Sequence, residues 1–270
     1  MTAHVFITGT GRAGTSFLVE LFGACGLDVG DLATTAYFAS ADAGYEHRPH
    51  ETSLPYVVKS PELHQFLDEI DLSSTTVDAV VVPVRDLRAA ARSRILQERA
   101  TAGWSLDESS RLTVVSTTAG GALTSLSLDD QERLLAVGQA RIIQWAVTND
   151  LPLYLIDFPR IVDDAEYCID RLWPVLSPHT TRPDALAAHG RVARPDKVRI
   201  RPGDPTLTET DPEELRLRIA ALEKAITDLH TEGAGPMTNL RTMLALDART
   251  TAMQKLLRRL AKHVGMGNDD

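Results

Sequence analysis

Apolar residues along this chain switch between two periods. His4 to Thr8 carries the unbroken run Val5-Phe6-Ile7, as a strand buried on both faces requires, and Thr15 to Cys25 then sets Phe17, Leu18, Leu21 and Phe22 at helical spacing. Gly26 and Gly30 stop that helix and open a long stretch with few periodic apolar positions. Pro55-Tyr56-Val57-Val58-Lys59 reads as a second short strand, with Pro61 suited to the first turn of a following helix. Asp78 to Val84 is the most β-branched run of the chain and predicts a buried parallel strand. Arg85 follows at once, and Asp86 opens a helix through Leu87, Ala90, Ala91, Ile95 and Leu96. Asp129 to Asn149 and Pro159 to Leu176 read as helices on either side of a strand from Leu151 to Phe158. Strand and helix alternate, which predicts an α/β fold: a central parallel sheet flanked by helices.

The pattern then changes. From Ser177 to Thr210 the composition turns to Pro, Arg, Asp and Gly, with Arg191, Arg194, Lys197, Arg199 and Arg201 close together, as in a solvated linker or a lid. Asp211-Pro212-Glu213-Glu214 signals a helix start, and Leu215, Ile219, Leu222, Ile226 and Leu229 follow at spacings of four and three. A second helix over about Met237 to Val264 completes an appended C-terminal helical hairpin, which would pack on the core, form a homodimer or dock another protein. The expected division is therefore 1–176 for the main domain, 177–210 for a basic linker or lid, and 211–270 for the hairpin. Within the main domain, the Gly-, Thr- and Ser-rich stretch from Thr117 to Ser125 reads as an insertion over the active face.

Composition narrows the partners. The net charge of −9 argues against general binding to nucleic acid or an anionic membrane, so an anion site must be locally basic. Cys25 and Cys168 are the two cysteines, which indicates neither a disulfide framework nor a zinc cluster. Met1 leads straight toward a strand without a signal-peptide pattern, and no run of 18 apolar residues occurs. A cytoplasmic protein without a membrane span is the expectation.

Candidate chemistry centres on Gly9-Thr10-Gly11-Arg12-Ala13-Gly14-Thr15-Ser16, a glycine-rich turn between the first strand and its helix. Such a turn curls backbone N–H groups round an anion, with the positive helix end behind them and Thr15 and Ser16 as hydroxyl donors. Gly9 and Gly14 satisfy the glycine spacing of a Walker A loop, but Thr15 stands where that motif has lysine, and the cation is at Arg12. Hence the sheet is expected to be of P-loop type. Ser93 lies seven residues after Asp86 and returns to the same helix face about two turns up, so Arg85 and Ser93 are able to flank one anion. Lys59 ends a strand, where ligands of open α/β sheets gather, though a lysine there also suits a solvated sheet edge. Between these motifs, Gly44-Tyr45-Glu46-His47-Arg48-Pro49-His50-Glu51 is dense in groups that exchange protons, or is simply a polar surface loop.

Gly11-Arg12-Ala13-Gly14-Thr15-Ser16 resembles the 5'-phosphosulfate loop of the sulfotransferase superfamily. Val80 to Arg85 together with Arg92-Ser93-Arg94 resembles that superfamily's 3'-phosphate signature. Gly26 to Asp31, Gly44-Tyr45-Glu46 and Lys59-Ser60-Pro61 are similar to segments of bacterial sulfotransferase-like proteins, and the resemblance spans roughly residues 4 to 175. It implies 3'-phosphoadenosine 5'-phosphosulfate (PAPS) as sulfuryl donor, 3'-phosphoadenosine 5'-phosphate (PAP) as product, and no metal. It further implies that Arg12 and the loop hold the phosphosulfate, that Arg85 and Ser93 hold the 3'-phosphate, and that Lys59 meets the bridging oxygen. The base would be a His or Glu between the loops: Glu46 first, then His47, His50 or Glu51. His64 reads as structural. The acceptor would be a hydroxyl or amine of a small metabolite, glycan or lipid. A P-loop kinase acting on a small molecule would need a cation at Thr15 and an acidic strand end in place of Arg85. A non-catalytic nucleotide-binding assembly protein is the other alternative.

Overall fold

In a computed structural model the described residues are 2–33, 35, 37–38, 43–48, 53–102, 128–201, 203 and 204. The expected insertion at 117–125 and the C-terminal hairpin lie outside them. Four parallel strands form the main sheet: β1 (Thr2–Ile7), β4 (Val57–Lys59), β5 (Thr75–Val84) and β6 (Leu153–Asp157), in the order β4-β1-β5-β6. A separate two-stranded antiparallel pair, β2 (Tyr37–Phe38) and β3 (Ala43–Gly44), sits within the long aperiodic stretch. Register aligns Ile7 with both Lys59 and Val81, so the carboxyl ends of the three adjoining strands share one rim.

Alternation along the strands sorts the core into two layers, as a period of two demands. Val5, Ile7, Val57, Ala79 and Val81 face one side, against Leu18, Leu21 and Phe22 of α1 (Thr15–Ala24) and Ile169 and Leu172 from later in the chain. Phe6, Val58, Val80 and Val82 face the other, against Leu63, Leu67, Ile142 and Ala146. Each of these large side chains contributes about 1.5–3 kcal/mol when fully buried. α2 (Leu87–Ala102) packs on α3 (Leu128–Thr148) through Ala90, Ala91, Ile95, Leu128 and Leu135.

Three expectations about helices change. Pro61 starts no α-helix: Leu63–Gln65 and Leu67–Glu69 are successive 3-10 turns, with the His64 ring packed against Gly138, where a Cβ would stand 3.1 Å from it. The helix expected over 159–176 is broken into α4 (Arg160–Asp163) and α5 (Ala165–Leu176). Asp164 stands between them in extended conformation and accepts a capping bond from the Tyr167 N–H at 3.0 Å. Part of the stretch expected as linker or lid is α6 (Arg182–Val192), a core helix packed on α1 and α5 with Ala185, Ala188 and His189 buried. Thr181 caps it and Pro183 occupies its first turn. Among the described residues, no helix is long and apolar enough to cross a membrane.

Candidate functional site

From β1 the chain passes through α1 to β4 on one flank, then returns to β5 on the other. Helical connections diverge at that switch and leave a crevice above the strand ends. A cleft of about 680 Å³ opens there. Its walls include Gly11, Arg12, Gly14, Thr15 and Ser16 from the loop after β1, Lys59 from β4, Arg85 from the end of β5, and Ser93 and Arg94 from α2. Ala13 is not on the wall of the cleft: its side chain is wholly buried in the core.

The loop is strained where it curls. Gly11, Arg12 and Gly14 have φ of 63°, 53° and 79°, a left-handed region that a non-glycine residue enters at a cost of about 1–3 kcal/mol. Glycine is required at 14 on a second ground, since a Cβ there would meet the Phe158 ring at 2.8 Å; one on Gly11 would meet the end of the Arg94 side chain, Nη2, at 2.9 Å. Arg12 tolerates its backbone because the surroundings hold it. Its Nε donates to Ser93 Oγ at 3.3 Å, and its carbonyl accepts from Arg85 Nη1. The Arg94 Nε donates to the Thr10 carbonyl at 3.1 Å from beneath.

Arg85 is 5% exposed, lies over the Phe158 ring at 5.1 Å, and donates through Nη2 to the Ile200 carbonyl, while its Nε is buried without a hydrogen-bond partner. Burial, then the Arg12 charge, pull its pKa down to about 10 against the opposing pull of Asp86. A guanidinium bonded to carbonyl dipoles and pressed by a second cation favours an arriving anion.

Lys59 is the other buried cation. It is 1% exposed, and its ammonium donates to Ser16 Oγ at 2.8 Å, to Glu46 Oε1 at 3.0 Å and to the Gly44 carbonyl. Burial pushes its pKa down, Glu46 pushes back, Arg12 lowers it further and Glu20 raises it. The segment bearing Glu46 is tied to β4 by a bond from the His47 N–H to the Lys59 carbonyl at 2.8 Å. Tyr45, just before Glu46, has a φ of 67°, so the second strained non-glycine residue on the cleft wall adjoins the carboxylate. His47 also lines the cleft, but its Nε2 is turned into the wall, 3.9 Å from where a Cβ on Gly30 would stand. His50 and Glu51 lie outside the described residues. His64 is not on the wall; its Nδ1 is buried without a hydrogen-bond partner, and burial followed by Arg94 and Arg141 lowers its pKa.

Arg94 was not singled out in the sequence, though it directly follows Ser93. Its signal is an arginine one residue from a motif serine on a helix otherwise rich in alanine. Arg194, Lys197 and Arg199 from the late basic stretch also line the cleft, and Arg199 is anchored by donating to Gln97 Oε1 at 3.2 Å. Lysines and arginines thus outnumber glutamates on the wall eight to three, while the chain carries −9. The cleft is a basic site on an acidic protein. Among the described residues, no three His, Cys, Asp or Glu side chains are grouped to hold a metal ion.

Fold and site together define the class: an α/β protein with a basic, glycine-loop cleft at the carboxyl rim of a parallel sheet. Comparison with protein-family models, with curated proteins and with solved structures finds no match to this chain.

Proposed function

We propose that this chain is a sulfotransferase on a P-loop-type sheet, moving a sulfuryl group from PAPS to a hydroxyl or amine of a small metabolite, carbohydrate or lipid. The observation that carries the reading is the double contact of Arg12, which joins Ser93 through its side chain and Arg85 through its carbonyl. Two motifs far apart in sequence thereby serve one anion-binding rim. In this reading Arg12, Thr15, Ser16 and the amides of Gly11 to Gly14 hold the 5'-phosphosulfate, and Arg85 with Ser93 holds the 3'-phosphate.

Sulfuryl transfer is an in-line displacement, so the protein must align donor and acceptor and stabilise charge on the departing oxygen. Lys59 is suited to the latter, because its ammonium already bonds Ser16 at the head of α1. Glu46 is the base of choice: it is 36% exposed and bonds Lys59, whereas the His47 Nε2 is enclosed in the wall. The test is calorimetric titration with PAP, ATP and GTP without added metal. PAP is expected to bind more tightly than either triphosphate; tighter ATP or GTP binding would favour the kinase alternative.

A further inference from the structure

We infer that the acceptor is a hydroxyl compound that also carries an ammonium group, of the amino-alcohol or amino-sugar kind, and that Glu62 with Phe66 recognises that cation. The inference rests on the sulfotransferase reading above and narrows its acceptor. Charge on the cleft wall is divided along the sheet. Five of its cations belong to the β5 side: Arg85, Arg94 of α2, and Arg194, Lys197 and Arg199 of the late stretch, which joins Arg85 through the Ile200 carbonyl and α2 through Gln97. The three carboxylates of the wall come from elsewhere: Glu20 on α1, Glu46 beside Lys59, and Glu62 three residues past the end of β4. β1 lies between β4 and β5, so about two strand spacings, roughly 10 Å, separate the two ends. A polyanionic donor belongs to the first end, which leaves the β4 end to the acceptor.

Two of these acids already serve Lys59: Glu46 bonds its ammonium at 3.0 Å, and Glu20 attracts it. Glu62 does not. Among the described residues its side chain has no hydrogen-bond or ion-pair partner, although the wall carries eight cations. It is also fixed in place. The Ser60 N–H donates to the Ile7 carbonyl at 2.9 Å, the Gln65 N–H to the Glu62 carbonyl at 2.9 Å, and the Phe66 N–H to the Leu63 carbonyl at 2.9 Å, while Leu63 is sealed in the core. That turn holds Glu62 and Phe66, both half-buried, on the cleft wall. A partly desolvated carboxylate without a partner favours an arriving cation, and an aromatic face adds to the attraction. Arg48 lines the wall as well, but it is exposed to water, which screens its charge. The ammonium is recognised and keeps its protons; a hydroxyl elsewhere on the same molecule takes the sulfuryl group.

Acceptor pairs matched in shape and differing in charge test this: choline against its uncharged carbon isostere dimethylbutanol, and glucosamine against glucose, each offered with PAPS at pH 7 and followed by release of PAP. With the native protein, at least one charged member should exceed its partner about tenfold in kcat/KM, the scale of one charged contact. The difference should lie in KM, since Glu62 binds and does not react. Glu62→Gln should bring the charged member down to the level of its partner, and Glu62→Lys should reverse the order, favouring glucuronate over glucosamine. Phe66→Leu should cost the charged member about threefold. The comparison within the native protein needs no variant, so the inference stays testable if Glu62→Lys does not fold. No preference for either charged member, or a preference that survives Glu62→Gln, would overturn it. Failure of the protein to bind PAP would instead overturn the sulfotransferase reading, and this inference with it.

Discussion

The middle and the carboxyl rim of one sheet carry opposite kinds of burial. Across the middle, Val5, Phe6, Ile7, Val58, Ala79, Val80, Val81 and Val82 are each at most 1% exposed and belong to apolar clusters on the two faces. A few residues further along, Lys59, Arg85, Ser93 and Arg94 are each at most 6% exposed and are polar or charged. Burial of the first group drives folding, because apolar area leaves water. Burial of the second opposes it, because desolvating a cation costs several kcal/mol that carbonyl partners repay only in part. The chain retains both within one set of strands. The rim therefore reads as a place where stability is given up for binding, and the strained backbones of Arg12 and Tyr45 at the same cleft agree.

Substitutions should separate the two regions. The largest effect is expected from Ile7→Ala, which empties a packed site in the middle: unfolding by denaturant should show a loss of about 2–5 kcal/mol. PAP affinity of the folded fraction should be unchanged, and a joint loss would erase the distinction. Next is Lys59→Met at the rim. Loss of one preorganised charge should lower kcat for sulfuryl transfer from PAPS about 10²–10³-fold. Thermal unfolding should shift little or upward, since an apolar side chain replaces a buried ammonium.

The smallest effect belongs to neither region. Arg201 hydrogen-bonds Asp163 at 2.6 and 3.1 Å and holds its carboxyl below the usual 3.8, against the opposing effect of burial. A depressed carboxylate pKa contributes stability above the unfolded value and loses it as pH falls through the folded one. Both side chains are more than a third exposed, so Asp163→Asn should cost under about 1 kcal/mol at pH 7 and less than that at about pH 3, below the usual 3.8. An equal cost at both pH values would show that the pair acts through packing and not through charge.

Legibility in the sequence followed the same divide. Strands β1 and β5 were plain because Val, Ile and Phe crowd them, and the loop was plain because Gly9, Gly11 and Gly14 permit left-handed turns that other residues resist. α6 was missed because its core face is made of alanines, whose small side chains give little periodic signal beside Arg182, Arg191 and the prolines. The break at Asp164 was missed because Pro159 and the apolar residues after it suit one continuous helix; only the capping bond to Tyr167 marks a second start. The contact of Arg94 with the loop and the pairing of Lys59 with Glu46 were illegible for a different reason. Each is set by which buried groups meet in space, and spacing along the chain says nothing of the Thr10 carbonyl under Arg94 or of the three acceptors round Lys59.

The central claim is that one rim grips both ends of a doubly phosphorylated adenosine compound. Its most direct test is calorimetry of PAP and of adenosine 5'-phosphate on the native protein and on Arg85→Ala. The account predicts that the substitution weakens PAP by about 1.5–3 kcal/mol, the worth of a charged hydrogen bond, and leaves adenosine 5'-phosphate nearly unchanged. Equal losses for the two ligands, or none for PAP, would contradict it.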